Sequence, residues 1–460
     1  MATKRGDSSG LNAIERRAAY SLSGIFSLRM LGLFLILPVF ALYAEGLPEV
    51  TPLLVGVAIG VYGLTQALLQ IPFGMLSDRI GRKPVLIGGL LIFALGSVVA
   101  ASAETIHGII LGRALQGSGA IAAVIMALAA DLSREQRRLR MMAIIGISIG
   151  IAFAIALIMG PILNSWIGVP GIFWLTAVLA LGGIGIVLFV VPTPKESHFH
   201  RDAEAAPGQF GKVLSEPELL RLDFGILTLH MCLTAMFLAY PLALRDLGIV
   251  SDSHWQVYLP VMLLSMVMMV PFVIIAESRR RMRPVFLGAI VALGLSAALL
   301  YSFSHTLFAM AGALFIFFTA FNLLEATLPS LIAKIAPGER KGTAMGVYSS
   351  SQFLGAFLGG VLGGWFHTHY GNEGVFLLCA GMALIWFLIA RGMSDPNYLS
   401  NYLLPVGKLN EAEVGVLAAK LMDIDGVDDA VIIAEDEVAY LKVDLSIVDQ
   451  EVLDGYAVQG

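Results

Sequence analysis

The sequence predicts an all-α membrane protein of twelve transmembrane helices in two six-helix halves, followed by a small α+β domain. Composition, a succession of long apolar segments and the placement of basic residues carry that expectation. The 460 residues are 57% hydrophobic and 14% charged, with mean hydropathy +0.82, whereas soluble domains carry about 25% charged residues. So little charge cannot cover one large water-soluble core, and most of the chain belongs in a lipid bilayer. The net charge of −5, with no basic tract outside short loops, excludes a nucleic-acid binder. Cys232 and Cys379 both lie in apolar runs and read as small buried hydrophobes, not as a disulfide or metal framework. No nucleophile–base constellation, nucleotide loop or metal spacing supports an enzyme, and no cofactor is implied.

A helix needs about 20 apolar residues to cross the hydrocarbon. Twelve stretches qualify, at 22–44, 53–76, 84–103, 106–131, 141–165, 170–192, 223–245, 256–276, 285–304, 306–334, 342–366 and 373–393. The first is too long for a signal-peptide core and is expected to be retained. Loops that share the N-terminal side, Lys4 and Arg5 included, carry 22 Lys and Arg residues, and the opposite loops carry one, Arg245. That asymmetry places both termini in the cytoplasm.

The expected organisation is a first half at 1–192, a cytoplasmic linker at 193–221, a second half at 222–394 and a cytoplasmic domain at 395–460. A shift of 199 positions aligns Pro72-Phe73 with Pro271-Phe272, Asp78 with Glu277 and Arg82 with Arg281. Duplicated halves around a central cavity would give this register. Composition changes after Asp395-Pro396-Asn397. A strand at Tyr402-Leu-Leu-Pro-Val, an Asn410-capped amphipathic helix, a strand pair around Glu435-Asp436-Glu437 and a helix within 447–456 follow. The order β-α-β-β-α is that of a ferredoxin-like domain, and the segment from Gly426 to Asp444 is similar to heavy-metal-associated domains. Those bind through Cys-x-x-Cys, and no cysteine lies beyond Cys379, so a thiolate metal site is absent.

The densest signal is the loop Gly74-Met-Leu-Ser-Asp-Arg-Ile-Gly-Arg-Lys-Pro-Val-Leu86. Gly74 permits close backbone approach, Gly81 permits a tight reversal, and Asp78, Arg79, Arg82 and Lys83 sit at the water interface. The pattern G-x-L-x-D-R-x-G-R-K-x-x-L resembles the loop between spans 2 and 3 of major facilitator superfamily transporters. Arg113-Ala-Leu-Gln-Gly-Ser-Gly119 resembles the superfamily's R-x-x-Q-G-x-G motif. The resemblance implies that Arg82 pairs with Asp131 and that Asp78 faces the start of span 11 at Lys341-Gly-Thr-Ala. Together these would latch the halves on the cytoplasmic side. It also implies that Arg113 assists proton movement; the alternative is an arginine that ties helices through backbone carbonyls.

Arg29, in a Leu31-Gly32…Pro38-Val39 context similar to twelve-span drug exporters, either faces the cavity or snorkels to the interface. Glu325, with Asn322 nearby, reads as the one acid deep in a span of the second half. Burial favours the neutral form of a carboxyl, so Glu325 is the first candidate proton carrier and His230 the second. The alternatives are a neutral hydrogen-bonded glutamate and a structural histidine. Tyr62, Gln66 and Gln70 make one polar stripe and Tyr348 and Gln352 another, facing a cavity or a neighbouring helix; Gln116 joins them from span 4. The antiporter glycine pattern survives in span 5 only as Ala156 with Gly160-Pro161. Its spacing reappears in span 11 at Gly346, Gly355, Gly359, Gly363 and Gly364.

The resemblance implies a proton-coupled exporter of small amphipathic compounds in a bacterial inner membrane, working by alternating access. Its partners are the small-molecule substrate, protons and lipid. The cytoplasmic domain would bind an ion, a small ligand or the transporter's own loops. A proton-coupled importer and a membrane sensor that transports nothing stand as alternatives.

Overall fold

The computed structural model describes residues 11–194, 204–337, 340–394, 400–434, 437–444 and 447–457. Lys4 and Arg5, linker residues 195–203, the boundary at 395–397 and the turn at 435–436 lie outside the described residues.

The first helix, α1 (Ala13–Phe34), opens on a capping box: Asn12 accepts from the Glu15 N–H, and the Glu15 carboxylate accepts from the Asn12 N–H. After a short break α2 (Leu37–Ala44) continues it. Thr51 caps α3 (Pro52–Ile80), whose Pro52 stands where no N–H is needed. The chain reverses at Gly81, whose φ of 95° is open to glycine and costly for other residues, and enters α4 (Arg82–Ala101). The stretch predicted as one helix at 106–131 is two, α5 (Ile106–Ser118) and α6 (Ala122–Asp131), separated at Gly119. α7 (Glu135–Phe189) is followed by α8 (Phe210–Val213), α9 (Pro217–Asp246), α10 (Trp255–Ser278), α11 (Met282–Phe303), α12 (Leu307–Ile335) and α13 (Lys341–Ala390).

Among the described residues ten helical segments are long and apolar enough to cross a membrane. Two of them, within α7 and α13, run for 50 residues, about 75 Å at 1.5 Å per residue and more than twice the hydrocarbon thickness. Each contains one residue outside helical geometry, Gly168 (φ 66°) and Gly371 (φ 64°). Bulky apolar side chains point outward: Phe308 is 92% exposed and Phe189 81%. In water such faces would associate; against lipid they are the expected surface.

The interior is built on close approach. α3 lies along α13, and a methyl group at Gly56 would run into the Gly360 carbonyl, as one at Gly360 would into that of Gly56. Small residues at such a crossing let backbones touch where hydrophobic burial gives no drive.

The tail forms an antiparallel sheet in the order β1 (Ser400–Pro405), β3 (Val438–Val443), β2 (Val427–Ile433), with Leu403 and Val431 both opposite Tyr440. α14 (Glu411–Met422), capped reciprocally by Asn410 and Glu413, lies between β1 and β2, and α15 (Gln450–Asp454) follows β3. Leu404, Leu421, Ala439, Leu441 and Leu453 form its small core. Arg280 reaches Asp444 at 3.1 Å and Lys442 donates to the Lys334 carbonyl, so the sheet end rests on the α10–α11 turn and the end of α12.

Candidate functional site

Four clusters of polar groups stand out inside the helical body. The first joins α9, α12 and α13. Oε1 of Glu325 lies 3.0 Å from Nε2 of His230, a contact by distance that lacks the alignment of a hydrogen bond. Nε2 of Gln352 lies 2.6 Å from the same ring nitrogen. One nitrogen cannot serve both neighbours alike. Bare Nε2 accepts from the Gln352 amide or from a protonated Glu325. A protonated Nε2 donates to the carboxylate, and Gln352 must then turn its carbonyl inward. Asn322, three residues before Glu325 on α12, donates to Ser265 of α10 at 3.4 Å.

Phe321 meets the His230 ring edge-on at 5.8 Å and stacks at 5.9 Å on Phe153 of α7, which belongs to the first half of the chain. The pair therefore lies where the two halves face each other. Sequence reasoning missed Asp223. It is 5% exposed, and neither carboxylate oxygen has a hydrogen-bond partner among the described residues. It precedes His230 by seven residues, two turns of helix, and so shares its face. Tyr348 is near enough to interact electrostatically with both Glu325 and Asp223. Asp223, the first residue of the stretch 223–245, thus joins Glu325 as a second acid shielded from solvent in the second half.

The second cluster lies between α1, α3 and α5. Arg29 does not snorkel. It is 1% exposed and donates to Gln66 and to the Gly119 carbonyl, which the break between α5 and α6 leaves free. Its guanidinium also stacks over Tyr62 (5.6 Å) and Phe93 (5.5 Å). Arg113 lies 5.0 Å from the same Tyr62 ring and donates to the carbonyls of Ala58 and Ile59 at 3.3 Å and to Gln116 at 2.8 Å. Gln116 donates onward to Ser97. In this geometry Arg113 ties α5 to α3. Gln70 donates to Ser350 at 2.8 Å, so the polar stripe of α3 faces neighbouring helices along its length.

The third cluster is the motif loop. Arg82 is 3% exposed and holds Asp131 at 3.0 Å, Glu204 at 2.9 Å and Asp78, with the Ser77 hydroxyl at 2.8 Å. Asp78 does not make the expected contact with the start of α13; it turns back onto Arg82. The link to α13 comes from the linker, where the Ala206 N–H donates to the Thr343 hydroxyl at 2.9 Å. Ala205 fills the space beside Gly346. Lys83 anchors on the Val191 carbonyl and Thr193, Arg79 is exposed, and Gly74 abuts the methyl of Ala123 instead of a backbone. In the repeat, Glu277 bonds Ser330 at 2.8 Å and Lys334 at 2.6 Å. Ser330 stands 199 residues after Asp131, so the second half bonds directly two positions that the first half joins through the buried Arg82.

The fourth cluster closes the other ends of the helices. Arg245 at the end of α9 pairs with Glu45 after α2 and with Asp246 at 3.1 Å. Asn372 donates to Asp246 at 3.2 Å and meets His367 at 3.1 Å.

A model of the Major Facilitator Superfamily matches residues 22–328 and 262–401. The chain is 47% identical to the inner membrane transport protein YajR of Escherichia coli K12, over 95% of this chain and 96% of that one. It is 36% identical to an uncharacterized transporter, BU466, of Buchnera aphidicola from Acyrthosiphon pisum, over 76% and 90%. Among solved structures, a bacterial homolog of the lysosomal transporter Spinster, inward-facing and occupied, superposes with TM-score 0.66 at 13% identity, over 83% of this chain and 96% of that one. The helices, the motif loop and these likenesses agree: the chain belongs to the Major Facilitator Superfamily and is a transporter, not an enzyme.

Proposed function

We propose that this transporter is proton-coupled, that Glu325 carries the proton, and that small amphipathic compounds leave the cytoplasm in exchange. The observation that carries the reading is the placement of Glu325 and Gln352 on one nitrogen of His230, at the meeting of the two halves. A proton on Glu325 changes which neighbour His230 bonds, and Gln352 sits on α13, the helix packed along α3. Loading the acid is thereby coupled to packing between halves. Such differential contact is what lets one ligand shift the equilibrium between two states.

In this reading Gly168 and Gly371 mark turns, α7 and α13 each cross twice, and the body has twelve spans with both termini in the cytoplasm. The halves are 1–192 and 222–394, the tail is a ferredoxin-like cytoplasmic domain, and Arg82 with its carboxylates is the cytoplasmic latch. The contacts of Arg280 with Asp444 and of Lys442 with Lys334 favour a tail that modulates transport over one that replaces it.

The test uses full-length protein in proteoliposomes, all compounds added to the face corresponding to the cytoplasm. A panel of amphipathic cations, neutral compounds and anions is screened with a pH-sensitive dye. Exchange predicts that a transported compound and protons move in opposite directions. Co-movement in one direction would establish symport in place of exchange, and uptake with a steady dye signal would remove proton coupling.

A further inference from the structure

Two guanidinium groups, Arg29 and Arg113, lie against the ring of Tyr62, and among the described residues no carboxylate contacts either. Arginine stays charged at any working pH, and an uncompensated buried charge is strongly destabilising. Arg113 spends its donors on carbonyls and Gln116. Arg29 does not: among the described residues its Nε and Nη1 and Nε2 of Gln66 lack an aligned hydrogen-bond partner, and the Tyr62 hydroxyl oxygen stands near enough to accept from only one of the two guanidinium positions. All three side chains are at least 98% buried. The groups left over are donors: one guanidinium position of Arg29, an amide N–H of Gln66 and the hydroxyl proton of Tyr62. Water can satisfy donors but supplies no charge. Beside them stand aromatic rings. Phe93 lies under Arg29, and Phe353, on α13 of the other half, meets Tyr62 at 6.4 Å. The cluster thus borders the surface along which the halves separate.

We infer that Arg29, Tyr62 and Gln66 form a binding site for a singly charged anionic group, with Tyr62, Phe93 and Phe353 taking an attached apolar body. The transport reading enters only in making that anion cargo; the site itself stands on the unmet donors. A resident inorganic anion and the acid group of an amphipathic substrate share this chemistry, and the experiment separates them.

Thermal unfolding of the detergent-purified full-length protein is followed by tryptophan fluorescence in gluconate buffer, with titration of sodium chloride, naphthalene-2-sulfonate or the uncharged naphthalene-2-sulfonamide. A saturable upward shift of several degrees with the sulfonate and none with the sulfonamide is expected for an amphipathic anion. An equal saturable shift with chloride, with nothing added by the sulfonate, assigns the site to an inorganic anion. In either case Arg29→Gln weakens the response at least tenfold. Should that variant fail to fold, Gln66→Glu supplies the missing anion from within and raises the melting temperature in gluconate while abolishing the response. The inference is overturned if the sulfonamide stabilises as well as the sulfonate, if neither anion shifts the transition, or if the variants respond as wild type does. Because no flux is measured, failure here leaves proton coupling untouched, and loss of coupling leaves this result standing.

Discussion

Arg82 carries three carboxylates, Asp78, Asp131 and Glu204, on a guanidinium almost wholly out of water. Removing such a cation leaves buried acids unpaired, which costs about 3–5 kcal/mol in other buried pairs. Arg82→Ala is therefore expected to lower the melting temperature markedly. Glu204→Gln leaves Arg82 two acids and loosens only the strap between Arg82 and Thr343. It is expected to raise the rate of substrate exchange in proteoliposomes with little change in melting temperature. An unchanged exchange rate would reduce Glu204 to static support. The pairing of Arg82 with Asp131 was legible only through the motif's resemblance to the superfamily loop, which implies it. Glu204 was not, since it stands among equally polar linker residues and its partner is 122 positions away. His230 and Glu325 were each singled out as ionisable groups in apolar segments. Nothing in their spacing, on separate helices, announced that they share a nitrogen.

At the scale of elements, apolar runs located most helices to within a few residues and Asn410 marked the start of α14; the structure adds Thr51, Thr105 and Thr306 as the caps of α3, α5 and α12. Joins were harder. Gly119 interrupts span 4, because the carbonyl it frees is bound by Arg29. Gly168 and Gly371, by contrast, turn the chain with a single non-helical residue, so helical geometry resumes at once on both sides. Twelve crossings follow only if those glycines lie at the outer face. Cysteines introduced for Ser165 and for Asn372 are then labelled by a membrane-impermeant maleimide from the periplasm, while one replacing Arg279 is labelled only after the membrane is opened. Cys232 and Cys379 are buried and contribute little background. Labelling of Arg279→Cys in intact cells would refute the topology.

Across the whole molecule, the charged groups between the two ends are divided between the halves. Arg29 and Arg113 lie buried in the first, and the buried Asp223, the half-buried Glu325 and the titratable His230 in the second. Glu45–Arg245 and its neighbours join the halves at one set of helix ends, and the linker strap joins them at the other. In the function proposed above, the contacts at the two ends serve as gates and the ionisable pair between them as the group whose proton biases alternating access. The claim that Glu325 is that group is tested most directly by separating exchange from accumulation. Reconstituted Glu325→Gln is predicted to exchange labelled for unlabelled substrate within about threefold of wild type, yet to lose at least tenfold of the accumulation driven by an imposed pH gradient. Accumulation at the wild-type level in Glu325→Gln would contradict the account.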